Sequence, residues 1–169
     1  MPKRFCRIIT AVFCLLAAAT VGCDSIDDDR IPVTPVNLRF TTVAEWNVYG
    51  VPGALSWKRF IREERIPSNF PYTEMTYTGF GGILLVADVM GNPKAFDLAC
   101  PVERRSDVRV AVKADDKHLA VCPKCGSKYD VFSLSGHPVS GEASEKGFAL
   151  RQYYAGAGRN GDYMVVANR

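Results

Sequence analysis

An all-β chain is what this sequence predicts, on three observations. Apolar and polar residues alternate at Val36, Leu38 and Phe40, and again at Val108, Val110 and Val112. A period of two marks a strand with one face buried. A continuous apolar run, Ile83-Leu84-Leu85-Val86-Ala87, leads into the turn Met90-Gly91-Asn92-Pro93-Lys94 and a second run, Ala95-Phe96-Asp97-Leu98-Ala99; that order is a hairpin signature. Turn residues then recur at short intervals from residue 36 onward, giving seven or more short strands. Many short strands with regular turns argue for an antiparallel sandwich or barrel.

The first residues stand outside that domain. Lys3, Arg4 and Arg7 form a basic start, and Ile8 to Ala19 is apolar without a charge. The run is shorter than the roughly 20 apolar residues a spanning helix requires, so residues 1–22 read as a secretory signal peptide. Thr20-Val21-Gly22-Cys23 resembles the bacterial lipobox, with Thr20 in place of the usual leucine. The resemblance implies cleavage before Cys23 and lipidation of that cysteine, hence a protein anchored to the membrane by lipid chains. Asp24-Ser25-Ile26-Asp27-Asp28-Asp29 follows. A block of like charge makes a solvated tether; it is also similar to the signals that send some Gram-negative lipoproteins to the outer cell surface. The expected location is the bacterial cell envelope, at the outer membrane and exposed on its surface. Residues 23–35, ending in Ile31-Pro32-Val33-Thr34-Pro35, form a linker, and residues 36–169 the β domain.

Along that domain, Val36 to Phe40 is the first strand, and Trp46-Asn47-Val48-Tyr49 reads with the β pattern up to Gly50. Ala54 to Glu64 is the one helix-like window, with Leu55, Arg59 and Arg62 as helix formers. After the Ile83–Ala99 hairpin, Val108 to Val112 and Leu119 to Cys122 flank a turn at Asp115-Asp116. Lys128 to Phe132, Phe148 to Ala155 and Tyr163 to Val166 complete the strands.

Charge narrows the partners. The chain has 21 Lys+Arg against 18 Asp+Glu, a net +3, but three of the bases and no acid lie in the leader. The mature chain of 147 residues is therefore balanced at 18 against 18. Nucleic acid, which calls for a basic patch or stripe, is excluded as the expected partner. The length suits one domain with a real core.

Of six cysteines, Cys6 and Cys14 leave with the leader and Cys23 carries lipid, so Cys100, Cys122 and Cys125 remain. An odd count outside the cytoplasm leaves one thiol over, or makes all three share a ligand. Cys122-Pro123-Lys124-Cys125-Gly126 is half of a zinc knuckle; with Cys100 and either His118 or His137 it could build a structural Cys3His zinc site. A redox Cys-x-x-Cys requires a helix N-terminus to lower its thiol pKa, whereas Gly126 to Phe132 reads as a strand. Gly79-Phe80-Gly81-Gly82 lacks a phosphate-loop lysine and reads as a bend into Ile83, and Ser127 and Ser140 have no His and Asp in triad order. The tyrosines read as core or sheet-face residues.

The two cysteine loops together resemble those of the Rieske iron–sulfur family over residues 80 to 155. The family has a Cys-x-His loop, a hairpin, then Cys-x-x-His-Gly-Ser and a strand. Here these are Cys100-Pro101-Val102 and Cys122-Pro123-Lys124-Cys125-Gly126-Ser127-Lys128-Tyr129-Asp130, with Leu150-Arg151-Gln152-Tyr153-Tyr154 as a later strand. The resemblance implies a Rieske-like antiparallel β fold with a small loop subdomain that carries the site. Both histidine positions have changed, to Val102 and Cys125. The Rieske centre uses two imidazoles on one iron, and an isopropyl group has no lone pair. Glu103, one residue on, is a hard ligand where a soft one is required. The bridge that links the loops in some members has Arg105 and Lys124 at its two positions.

The expectation is a lipid-anchored, non-enzymatic binding or structural module that has lost its cluster, with no cofactor and with an envelope protein or ligand as partner. In that reading two of the three thiols join the loops as a disulfide, Cys100 to Cys122 or to Cys125, closing roughly 20 residues for about 3 kcal/mol. The alternatives are an electron-transfer protein with an atypical [2Fe–2S] centre on these three cysteines, and a structural zinc protein.

Overall fold

The computed structural model describes residues 26–113, 118–158 and 161–169. The expected signal peptide, the expected lipidation site Cys23, the start of the acidic block and the expected turn at Asp115-Asp116 lie outside the described residues.

The all-β expectation holds. One sheet takes seven strands in the order β2 (Trp57–Phe60), β4 (Ile83–Ala87), β5 (Pro93–Asp97), β10 (Gln152–Ala157), β11 (Met164–Ala167), β1 (Val36–Phe40) and β3 (Tyr77–Thr78). Every neighbouring pair is antiparallel. The sheet curls into a nearly closed barrel. Its two edges approach where the Arg62 amide, just past β2, donates to Thr78 Oγ1 in β3 at 3.4 Å. A second, smaller sheet takes β6 (Ala111–Lys113), β7 (Leu119–Val121), β8 (Lys128–Asp130) and β9 (His137–Ser140) in sequence order.

The β4–β5 hairpin forms as predicted. Asp88 organises its turn: one carboxylate oxygen accepts from the amides of Met90 and Asn92, each at 2.8 Å. The unbroken apolar run of β4 reflects burial on both faces. Ile83, Leu85 and Ala87 face an aromatic interior with Phe40, Phe60, Phe70 and Trp46. Leu84 and Val86 face the small sheet, in a second cluster with Phe96, Cys100, Cys122, Tyr129 and Leu150.

Three local expectations are corrected. Ala54 to Glu64 is not helical: it contains β2, which pairs with β4 from Trp57↔Val86 to Phe60↔Ile83. Burying Phe60 in the aromatic interior outweighs the helix propensity of its neighbours. The helix lies earlier, at α1 (Val43–Tyr49), where β pattern was expected. Thr42 caps it by accepting from the Glu45 amide at 3.1 Å, and Glu45 reaches back to the Thr41 amide. That reciprocal Thr-x-x-Glu arrangement resembles a capping box displaced by one residue. The strand expected from Phe148 begins only at Gln152 and is preceded by a short helix, α2 (Glu142–Lys146).

The barrel hands the chain to the small sheet just beyond β5. Val110 donates to Leu98 O at 2.8 Å and Cys100 donates to Val108 O at 3.0 Å. Backbone bonds thus tie the Leu98–Cys100 segment to the Val108–Val110 stretch that leads into the small sheet.

Candidate functional site

Asp97, at the end of β5, anchors this junction. Its side chain is fully buried and accepts from the amides of Phe80 (2.9 Å), Gly81 (2.9 Å) and Ala99 (2.7 Å) and from the Tyr153 hydroxyl (2.5 Å). Burial pushes its pKa up, while the Tyr153 hydroxyl and the three amides pull against that push. The Gly79–Gly82 stretch, expected as a flexible bend, is wrapped around this carboxylate. A Cβ on Gly81 would lie 2.6 Å from the Ala99 nitrogen and 2.8 Å from Asp97 Oδ1, so only glycine permits the approach.

Three residues beyond Asp97, Cys100 opens the first loop with its thiol wholly buried. The loop turns back at once, with Arg104 donating to Cys100 O at 2.9 Å. The second loop leaves β7 at Cys122 and returns through Ser127, whose carbonyl accepts from the Cys122 amide at 2.9 Å. The Gly126 amide donates to Cys122 O at 3.1 Å, and Gly126 takes φ +72°, the left-handed region that glycine enters without strain.

These two loops bring Cys100, Cys122 and Cys125 together, their Sγ atoms all within 4.8 Å of one another. All three are free thiols, and Cys100 Sγ lies 3.6 Å from Cys125 Sγ. Tyr129, fully buried in β8, places its hydroxyl 3.5 Å from Cys100 Sγ. Ser127, also fully buried, accepts at Oγ from the Cys125 thiol at 3.3 Å and from the Ala143 amide at the start of α2 at 3.2 Å.

The thiols differ electrostatically. Burial pushes Cys100 up to about 12, although the Tyr129 hydroxyl and the Glu103 amide favour its thiolate. At Cys125 burial pushes upward too, but the Ser127 hydroxyl and amide, with the neighbouring thiols, more than offset it and leave the pKa below the usual thiol value. Tyr129 is raised by burial and by its place against the sulfurs.

The other sequence candidates stand apart. His118 packs edge-on against Trp57 and Phe132, its ring centroid 6.1 Å from each. His137 sits in β9. Among the described residues neither joins the thiols in a group able to hold an ion. Val102 packs its isopropyl group against the core around the thiols. Glu103 is ion-paired with Lys124, so the pair ties the first loop to the second. Arg105 pairs with Asp107 at 2.6 Å on the surface. Sequence reasoning found the three cysteines but missed Asp97, and it gave Ser127 and Tyr129 no part in the site. The glycines at 79, 81 and 82 were the available signal for a buried acceptor.

No family model, curated protein or solved structure matches this chain.

The fit to a Rieske-type cluster can be judged on the donors themselves. Such a centre needs four protein ligands divided between two irons, with imidazoles on one of them. The site offers three sulfurs close together, with the Tyr129 and Ser127 hydroxyls and the apolar Val102 beside them and Glu103 paired to Lys124. The residues do not fit that group.

Proposed function

We propose that the protein is a lipid-anchored module of the bacterial envelope, non-enzymatic in role, built on a Rieske-like scaffold that no longer carries a two-iron cluster. It serves in binding or in structure. The observation that carries this reading is the convergence of three thiols within 4.8 Å with no imidazole beside them. The two loops and their spacing follow the family's pattern, while the ligands that would set an electron-transfer potential have been replaced by Val102 and Cys125. The lipobox-like Thr20 to Cys23 and the acidic residues after it support attachment at the outer membrane.

The test is chemical analysis of protein made anaerobically with cluster assembly available. Iron and acid-labile sulfide should be far below one per chain, with no visible charge-transfer bands. Two irons and two sulfides per chain would overturn the reading in favour of electron transfer through an atypical [2Fe–2S] centre. For the anchor, Cys23→Ser should release the protein from membranes; continued membrane association of that variant would remove the lipoprotein assignment.

A further inference from the structure

We infer that Cys100, Cys122 and Cys125 form a site for a single thiophilic d10 cation, zinc(II) or copper(I), held by three thiolates with a fourth position left to an outside ligand. This rests on the reading above, since one ion and a two-iron cluster cannot share these sulfurs.

Distance is the first argument. Two thiolates bound to one ion at about 2.3 Å and a tetrahedral angle lie about 3.8 Å apart. Cys100 and Cys125 stand at 3.6 Å, and every pair in the group is within 4.8 Å. Small side-chain motions bring all three onto one centre. Thiolates carried on two irons would have to spread across the cluster instead.

Donor chemistry is the second. Three sulfurs, with only the neutral Tyr129 and Ser127 hydroxyls beside them, make a soft set, which selects copper(I) or zinc over magnesium, calcium or manganese. Glu103, the carboxylate of the first loop, is held by Lys124.

Preorganisation is the third. Cys100 is held by backbone bonds to Val108 and Arg104, and the second loop is closed by backbone bonds between Cys122 and both Gly126 and Ser127. Both loops grow from paired strands, so the sulfurs are held before any ion arrives. Cys100 and Cys122 are buried, whereas Cys125 is half-buried. An outer ligand therefore approaches beside Cys125.

The experiment uses the full mature chain, reduced with a phosphine and freed of metal. Zinc(II) is titrated against a chelating dye, copper(I) against bicinchoninate, and cobalt(II) is added as a spectroscopic reporter. The inference expects 1:1 binding of zinc or copper(I), the tighter titration naming the ion, and a cobalt charge-transfer band of three-thiolate intensity. Outer-shell changes typically weaken metal sites 10–100-fold, so loss of a ligand in Cys122→Ser should cost more than about 100-fold. Cys125→Ser is the control against misfolding, because its half-exposed side chain tolerates the change; it should bind as weakly while keeping the wild-type circular dichroism. No 1:1 uptake by the reduced wild type, or undiminished binding by Cys125→Ser, overturns the inference. If iron is also absent, the cluster-free reading survives that failure. Stoichiometric iron and sulfide overturn both.

Discussion

The barrel and the small sheet solve the same packing problem with different materials. The barrel interior is closed by aromatic rings: Phe40, Phe60 and Phe70 meet edge-to-face with centroids 5.2 to 5.9 Å apart, and Trp46 seals one end against Phe40 at 5.1 Å. The small sheet has strands of three or four residues, too short to bury much by themselves. Its contact layer toward the barrel is completed by Cys100, Cys122 and Tyr129. One strand, β4, serves both regions with its two faces. The barrel should therefore hold without help, while the small sheet should depend on the state of its sulfurs.

The largest test of that contrast is Phe60→Ala. Truncating a buried phenylalanine typically costs about 4 kcal/mol, and Phe60 is wholly buried among Phe40, Phe70 and Ile83. Urea denaturation should show this loss equally with and without added zinc. A loss that shrinks when zinc is present would mean the two cores are not independent.

Asp97→Asn strikes the joint between them. Replacing one carboxylate oxygen by an amide NH2 sets a donor against a donor, at either the Gly81 and Ala99 amides or the Phe80 amide and Tyr153 hydroxyl. With a charge-assisted acceptor lost and a buried donor unpaired, the expected cost is about 3 kcal/mol. The urea midpoint should fall with the slope unchanged. Hydrogen exchange should rise in both β5 and the first cysteine loop. Exchange confined to the barrel would remove Asp97 from the support of the thiol site.

What could be read from the sequence follows this same division. The β4–β5 hairpin was legible because Asp88, Gly91 and Asn92 settle its turn locally. The α1 helix was also legible in principle, from Thr42-x-x-Glu45, but Trp46 and Val48 imitate a strand period. Asp97 was not legible, because its donors come from residues 80, 81, 99 and 153 and only the folded barrel gathers them. The cysteines could be named from their loops. Their convergence could not, since Cys100 and Cys125 are 25 residues apart and meet only through the pairing of the Val108–Val110 segment with the end of β5.

Tyr129→Phe probes the small sheet alone. The ring keeps its place in the core, and only the hydroxyl 3.5 Å from Cys100 Sγ is removed. The expected loss is about 1 kcal/mol, the usual net worth of one hydrogen bond. It should appear as faster exchange of β7 and β8 amides, with the barrel amides unchanged.

Lys124→Ala has the smallest expected effect and separates two ways of joining the loops. Lys124 and Glu103 bridge from one loop to the other, but the lysine side chain is 57% exposed and only the glutamate is shielded, at 14%. Ion pairs with an exposed partner contribute at most about 1 kcal/mol, and salt screens them. The destabilisation should therefore be below about 1 kcal/mol at low ionic strength and should fade in about 1 M salt, where the screening length is only about 3 Å. Loop closure then belongs to the buried sulfurs and the Asp97 joint behind them, with the ion pair as an outer clasp. A loss above about 2 kcal/mol that persists in high salt exceeds what such a pair supplies; it would move the closure to the rim and make the small sheet's dependence on its thiols secondary.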